Sequence, residues 1–198
     1  MNDGAIHVHG RHVLEEDRIL SSSRLTGPSA IMEPVKRVVI LGPGGAGKSV
    51  LATRLGSLVG LPVVELDKQF WSPDLEPMQK DDWRSLTAEL AEEPVWILDG
   101  DLGPYDVLEP RLQRADMVIV LDLARWRCLW RSLKRSRQRL DFWRWLLTWR
   151  RRSRPQLVAA VATHADHARI EVLRSPAAVE RWLQQIASRQ PGRGMADD

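Results

Sequence analysis

Cysteine, tyrosine and phenylalanine are scarce in this chain of 198 residues, at one, one and two copies, whereas tryptophan occurs nine times. The lone Cys128 excludes an intramolecular disulfide and a multi-cysteine metal site, and we read it as a small buried residue on a helix rather than a nucleophile. No segment has the length and apolar character of a membrane span. Residues 1–30 carry charges and histidines where a secretory leader needs an apolar block, so the expected location is cytoplasmic with no membrane partner. Internal repeats are absent. Basic excess is missing from most of the chain: residues 125–154 hold eleven Arg and one Lys against Asp141 alone, a local balance of +11, so a net charge of +3 leaves −8 elsewhere. A segment of that kind calls for anionic ligand groups or a polyanionic partner.

What is present is a complete phosphate-binding loop. The run Gly42-Pro43-Gly44-Gly45-Ala46-Gly47-Lys48-Ser49 directly follows the apolar Val38-Val39-Ile40-Leu41 and leads into a helix-forming stretch. Gly42, Gly44, Gly45 and Gly47, with the small Ala46, let successive backbone N–H groups turn inward around β- and γ-phosphates. Lys48 adds positive charge there, and the Ser49 hydroxyl suits a Mg²⁺ ion. The expected ligand is a nucleoside triphosphate. The motif alone does not say where the γ-phosphoryl group goes.

Residues 1–33 show no periodicity and contain three consecutive serines and Gly27-Pro28, so they read as a disordered extension, with His7, His9 and His12 solvated rather than metal-bound. Fold-competent sequence begins just after Met32. A single domain is expected at 34–188, and 189–198 read as a disordered tail. Within the domain, strand and helix signals alternate. Strands are expected at about 36–41, 62–66, 95–98, 117–121 and 170–173, and helices from the phosphate loop to 59, at 80–92, through much of 124–166, and after Ser175-Pro176, an N-cap followed by a first-turn proline. Such alternation specifies an α/β fold, a parallel sheet covered by helices on both faces.

The phosphate loop is followed by Leu66-Asp67 with Phe70-Trp71-Ser72-Pro73, by Trp96-Ile97-Leu98-Asp99-Gly100, and by Arg111-Leu112 with Ala115-Asp116. Asp122, Arg125-Trp126, Cys128-Leu129-Trp130-Arg131, a Trp/Arg block at 142–155 and Val172-Leu173-Arg174-Ser175 complete the series. This order, from about 36 to 186, resembles the adenylate kinase-like branch of P-loop kinases, and its Trp-rich set is most similar to the adenylate kinase-related DNA topology modulation proteins. The resemblance implies a P-loop NTPase fold of the nucleotide-kinase type. It implies five parallel strands in the order 2-3-1-4-5, a helical Arg-rich lid at about 125–155, and ATP with Mg²⁺ as ligands. Similar proteins commonly carry Asp-Gly-Asn-Tyr after the third strand, whereas residues 99–105 here read Asp-Gly-Asp-Leu-Gly-Pro-Tyr, so the acceptor-side loop is altered.

Phosphoryl transfer rests on positioning and charge neutralisation, which sorts the candidates. Lys48 falls on the β/γ-phosphates and Ser49 on Mg²⁺. Asp99, ending an apolar strand, stands where such kinases hold Mg²⁺ through water, and Asp101 either shares that role or bonds the loop backbone. Asp67, at the end of the second strand, would take the acceptor hydroxyl's proton or hold it in line. Phe70 and Trp71 read as core ahead of ligand wall. On a helix beginning near 124, Trp126, Leu129, Trp130 and Leu133 form a stripe expected to be buried, and Arg127, Arg131 and Arg135 recur every four residues on a neighbouring face. The resemblance makes these lid arginines, with Arg127 and Arg135 on the triphosphate and Arg131 on the moving phosphoryl group. Phe142, Trp145, Leu146 and Trp149 share a face expected to dock on the domain, with Arg150, Arg151, Arg152 and Arg154 at the helix end before Pro155.

The leading expectation is a kinase that moves the γ-phosphoryl group of ATP to a small acceptor, whether nucleotide, nucleoside or hydroxylated metabolite. A nucleoside monophosphate would call for an arginine right after Asp99-Gly100. Asp101 stands there instead, and Arg111 is the candidate replacement. The alternative is an ATP-dependent nucleic-acid-binding, topology-modulating regulatory protein that uses the basic segment 125–154, although no groove-reading motif is visible.

Overall fold

A computed structural model describes residues 35–74, 76–124, 126, 128 and 140–189, with side chains left undescribed at 140–146. The N-terminal extension, nearly all of the tail, and Arg127, Arg131 and Arg135 in the first part of the lid lie outside these residues. Five strands form one parallel sheet: β1 (Arg37–Leu41), β2 (Val63–Glu65), β3 (Trp96–Asp99), β4 (Met117–Leu121) and β5 (Arg169–Leu173), in the order β2-β3-β1-β4-β5. The helices are α1 (Lys48–Val59), α2 (Leu66–Phe70), α3 (Lys80–Glu92), α4 (Glu109–Arg114), α5 (Leu140–His164) and α6 (Pro176–Ser188). No described helix is long and apolar enough to cross a membrane.

The central strands are apolar along their whole length because both faces are covered. Val39, Leu41, Leu98, Val118 and Val120 point to one face, where they pack with Trp83 of α3, Leu112 of α4, and Trp149, Leu157 and Val161 of α5. Val38, Ile40, Ile97, Ile119 and Leu121 point to the other, against Leu51 and Leu55 of α1 and Trp182, Leu183 and Ile186 of α6. The period of two thus feeds two cores from one sheet. Asp116 fixes the start of β1, accepting from the backbone N–H groups of Lys36 at 3.0 Å and Arg37 at 2.9 Å. Ser175 caps α6 as expected, its hydroxyl accepting from the Ala178 N–H.

Three expectations need correction. The second strand does not reach 66: β2 stops at Glu65, and Asp67 lies in the first turn of α2. Leu66 and Phe70 are both buried, and a helical turn puts this i,i+4 pair on one face where an extended chain would not. The second correction concerns Pro155, which does not mark the end of the arginine-bearing helix; α5 continues through it to His164. A proline inside a helix costs about 3 kcal/mol, which is offset by buried Trp149 on one side and buried Leu157, Val158 and Val161 on the other. The third concerns Trp126, which is 65 % exposed rather than part of a buried stripe. Cys128 is buried as expected, and two helical residues about 200° apart cannot share a face.

Gly42 ends β1 at φ +141°, and a Cβ there would stand 2.6 Å from the Leu121 carbonyl oxygen. Gly42→Ala is expected to lower stability by about 2–4 kcal/mol, read as a lower urea midpoint with an unchanged slope.

Candidate active site

The strand order reverses at β1, which lies between β3 and β4, so the carboxyl ends of β1 and β3 open on the crevice where such sheets take ligands. The phosphate loop occupies that edge. Gly45 and Gly47 take left-handed conformations, at φ 73° and 94°, and the Ala46 N–H reaches the Pro43 carbonyl at 3.2 Å. No side chain caps the N-terminus of α1, and no acidic residue stands in its first turn, so its N–H groups are left to an anionic ligand. Lys48 folds back over the loop, its Nζ donating to the Gly42 carbonyl at 2.9 Å.

Asp99 ends β3 beside this loop and is only 3 % exposed. Burial pushes its carboxyl above the usual carboxylate range; the Lys48 ammonium opposes that rise, as does a hydrogen bond from Ser49. Its Oδ1 is buried without a hydrogen-bond partner. A hydroxyl next to a carboxylate with an unsatisfied buried oxygen fits a hard cation such as Mg²⁺, which binds oxygen ligands. Among the described residues, no group of three or more His, Cys, Asp or Glu is arranged to hold a metal. Mg²⁺ commonly keeps only one or two protein ligands and completes its shell with phosphates and water, so this sparse donor set suits it.

Asp67 is an exposed residue in the first turn of α2. Desolvation raises its pKa most; Lys48 and Arg111 lower it, and the neighbouring charges of Asp99 and Asp106 raise it further. The structure therefore brings Lys48, Ser49, Asp99 and Asp67 to one end of the sheet. Phe70 is core, as read from the sequence.

Asp101 is a loop former. Its Oδ1 accepts from the Gly103 N–H at 3.0 Å and its Oδ2 from Trp149 Nε1 at 3.1 Å, leaving the carboxylate buried and fully engaged. Arg111 points into the protein. It is completely buried, forks onto both oxygens of Asp106 at 3.0 and 2.7 Å, and donates to the Gly100 carbonyl at 3.1 Å.

Two acidic residues were missed as partners in the sequence. Asp106 holds Arg111, and Asp122, just past β4, accepts from Arg150 at 2.9 Å and Arg154 at 3.3 Å. An acidic residue at a strand's carboxyl end was the available signal for Asp122. A cleft of about 330 Å³ runs between α3 and α5, lined by Lys80, Arg84, Asp101, Ser153 and His164 among others, and none of Lys48, Ser49, Asp67 and Asp99 lines it.

No protein-family model matches the chain, and no curated protein matches it. Solved structures do. A shikimate kinase from Acinetobacter baumannii in complex with shikimate is similar at 16 % identity and a TM-score of 0.52, over 78 % of this chain and 92 % of that one. The fold is that of the P-loop small-molecule kinases. A sugar kinase from Janibacter sp. HTCC2649 aligns at 20 % identity and a TM-score of 0.49, over 79 % and 92 % of the two chains. A deoxyadenosine kinase from M. mycoides with bound dCTP aligns at 15 % identity and a TM-score of 0.44, over 77 % and 99 %.

Removing Asp106 would leave the Arg111 guanidinium charged, buried and without its carboxylate. Asp106→Ala is expected to cost about 3–5 kcal/mol in equilibrium unfolding, while Glu109→Ala, which breaks the exposed pair with Arg84, is expected to cost under about 1 kcal/mol.

Proposed function

We propose that this chain is an ATP-dependent kinase that moves the γ-phosphoryl group of ATP onto a small acceptor lying beside Asp67. The observation that carries this reading is the grouping of Lys48, Ser49, Asp99 and Asp67 at the carboxyl end of the sheet, beside a glycine loop that leads into a helix N-terminus with no side-chain cap. Ser49 and Asp99 are the residues that would hold Mg²⁺, which when bound supplies charge neutralisation at the β- and γ-phosphates. Lys48 would place its ammonium on the same oxygens. Asp67 would orient the acceptor hydroxyl and take its proton as the new oxygen–phosphorus bond forms and the bond to the β–γ bridging oxygen breaks.

The Trp-rich resemblance supports placing the chain within the adenylate kinase-related branch, near the DNA topology modulation proteins. Arg127, Arg131 and Arg135 are assigned to the triphosphate on the same ground. The burial of Arg111 argues against a nucleoside monophosphate as acceptor. Of the basic block, Arg150 and Arg154 are engaged with Asp122, and Arg151 and Arg152 are exposed. Nucleic-acid binding is therefore kept as an outcome of the assay rather than as a second reading.

Lys48→Ala is expected to reduce ATP turnover by about 10²–10³-fold. Turnover unchanged in that variant, together with DNA affinity that falls steeply with salt, would replace the kinase by the nucleic-acid reading. Asp67→Asn is expected to lower kcat by about 10²–10⁴-fold with ATP affinity retained, and equal loss of both would make the residue structural. Because the base must be ionised and its pKa is raised, the fall in kcat on acidification should begin above the ordinary aspartate range. The residual rate of Asp67→Asn should lack that limb in a pH–rate profile.

A further inference from the structure

The loop between β3 and α4 is closed by one buried ion pair. Arg111 forks onto Asp106 through Nη1 and Nη2, and its Nη2 also donates to the Gly100 carbonyl at 3.1 Å. The Arg111 side chain is fully buried and that of Asp106 nearly so. Asp106 ties the loop to itself as well, its Oδ2 accepting from the Leu102 N–H at 3.0 Å and its Oδ1 from the Val107 N–H at 2.9 Å. The Arg111 Nε is buried with no hydrogen-bond partner, so the two terminal nitrogens carry the whole attachment.

Gly100 is where this clamp meets the site. It follows Asp99, its N–H donates to the Ile40 carbonyl of β1 at 3.3 Å, and a Cβ added to it would stand 2.8 Å from the Leu66 Cβ. Leu66 is buried and begins α2, and Asp67 is the next residue. One residue before Leu66, Glu65 pairs with Asp99 in the register of the sheet. The ends of β2 and β3, and with them the backbones of Asp67 and Asp99, therefore share one junction at Gly100, and Arg111 holds its carbonyl. The charges of the clamp reach the same place. Lys48 of α1 and Arg111 of α4 lower the pKa of Asp67, whereas Asp99 of β3 and Asp106 of the loop raise it. A buried ion pair often adds no net stability over apolar side chains of similar volume. What a fork with a third bond supplies is a fixed position.

From this juxtaposition of Arg111, Asp106 and Gly100 with the Leu66–Asp67 turn, we propose that Arg111 is a positioning residue for phosphoryl transfer: held on Asp106, it pins the Gly100 carbonyl and thereby sets Asp67 against the end of β3. It acts on the reaction through Asp67 and not by touching a reacting group. The inference rests on the kinase reading above.

The test is ADP formation by the full chain with Mg²⁺ and ATP, with rates taken per folded molecule. The acceptor is whichever member of a panel of nucleosides, their 5′-monophosphates, cyclic polyols and cyclic hydroxy acids stimulates the wild-type chain most. Arg111→Lys keeps the charge but offers one nitrogen in place of the fork, and it is expected to lower kcat by about 10–100-fold with ATP affinity kept within about twofold. The pH–rate profile separates positioning from folding. Arg111→Gln removes a charge that favours the Asp67 carboxylate and should move the acid limb of kcat to higher pH; Asp106→Asn removes one that opposes it and should move the limb to lower pH. Arg111→Lys should leave the limb nearly in place. Opposite shifts from the two halves of one ion pair cannot come from lost stability. If a single variant does not fold, the double variant Arg111→Gln with Asp106→Asn leaves no buried unpaired charge and should show the same fall in kcat. Unchanged kcat per folded molecule, or limbs that move together, overturns the inference and leaves the kinase standing. Failure of every acceptor to stimulate ADP formation, with ATP bound by the wild-type chain, overturns the kinase reading itself.

Discussion

The crevice depends on one ammonium group among three aspartates. Lys48 lowers the pKa of Asp67, Asp99 and Asp101, all of which burial pushes upward. Desolvation makes each carboxylate costly as an anion, and a cation at the centre of the three limits that cost without satisfying any one of them completely. The Lys48 Nζ is itself held on the Gly42 carbonyl, so the charge is fixed relative to the glycine loop. Site electrostatics and loop geometry are therefore one constraint. A change at Gly42 acts on the aspartates through the lysine, as well as on the turn through its left-handed backbone.

The same logic of acid at strand ends joins the crevice to α5. Asp101 after β3 takes the indole N–H of Trp149, and Asp122 after β4 takes the guanidinium groups of Arg150 and Arg154. These contacts fall within six residues of α5, on the turns just before Pro155. Two loops of the sheet edge thereby hold the helix that follows the arginine-rich segment. Buried acids with satisfied partners of this kind define one docking geometry for the helix, where apolar packing alone would leave rotation about its axis less constrained.

The sheet was legible because its signals are local and redundant. Met117–Leu121 is apolar throughout and bounded by Asp116 and Asp122, and Ser175-Pro176 opens α6 as a capped start must. Errors arose where tertiary packing overrides a local rule. The pull of Leu66 and Phe70 into the core turns the chain helical one residue before Asp67, and docking on both sides of Pro155 carries a helix through a residue that usually ends one. Trp126 shows a different failure: a stripe containing it is incompatible with a buried Cys128 two residues away, a conflict that helix geometry alone exposes. Partner choice was the least legible layer. Nothing local distinguishes Arg111, whose two terminal nitrogens bond Asp106, from an arginine that meets substrate.

That commitment of Arg111 bears on how charge is divided across the protein. The crevice holds several carboxylates and one inward lysine, and a bound triphosphate adds several negative charges more. Such an assembly needs cations from outside the sheet edge, and the sequence concentrates them in 125–154 while leaving the remainder net acidic. Arg111 stabilises the loop after β3 from within, through Asp106 and Gly100, and its charge also acts on Asp67. On the proposed kinase reading, the nucleotide side of the crevice is served by backbone N–H groups and Lys48, and the acceptor side by Asp67.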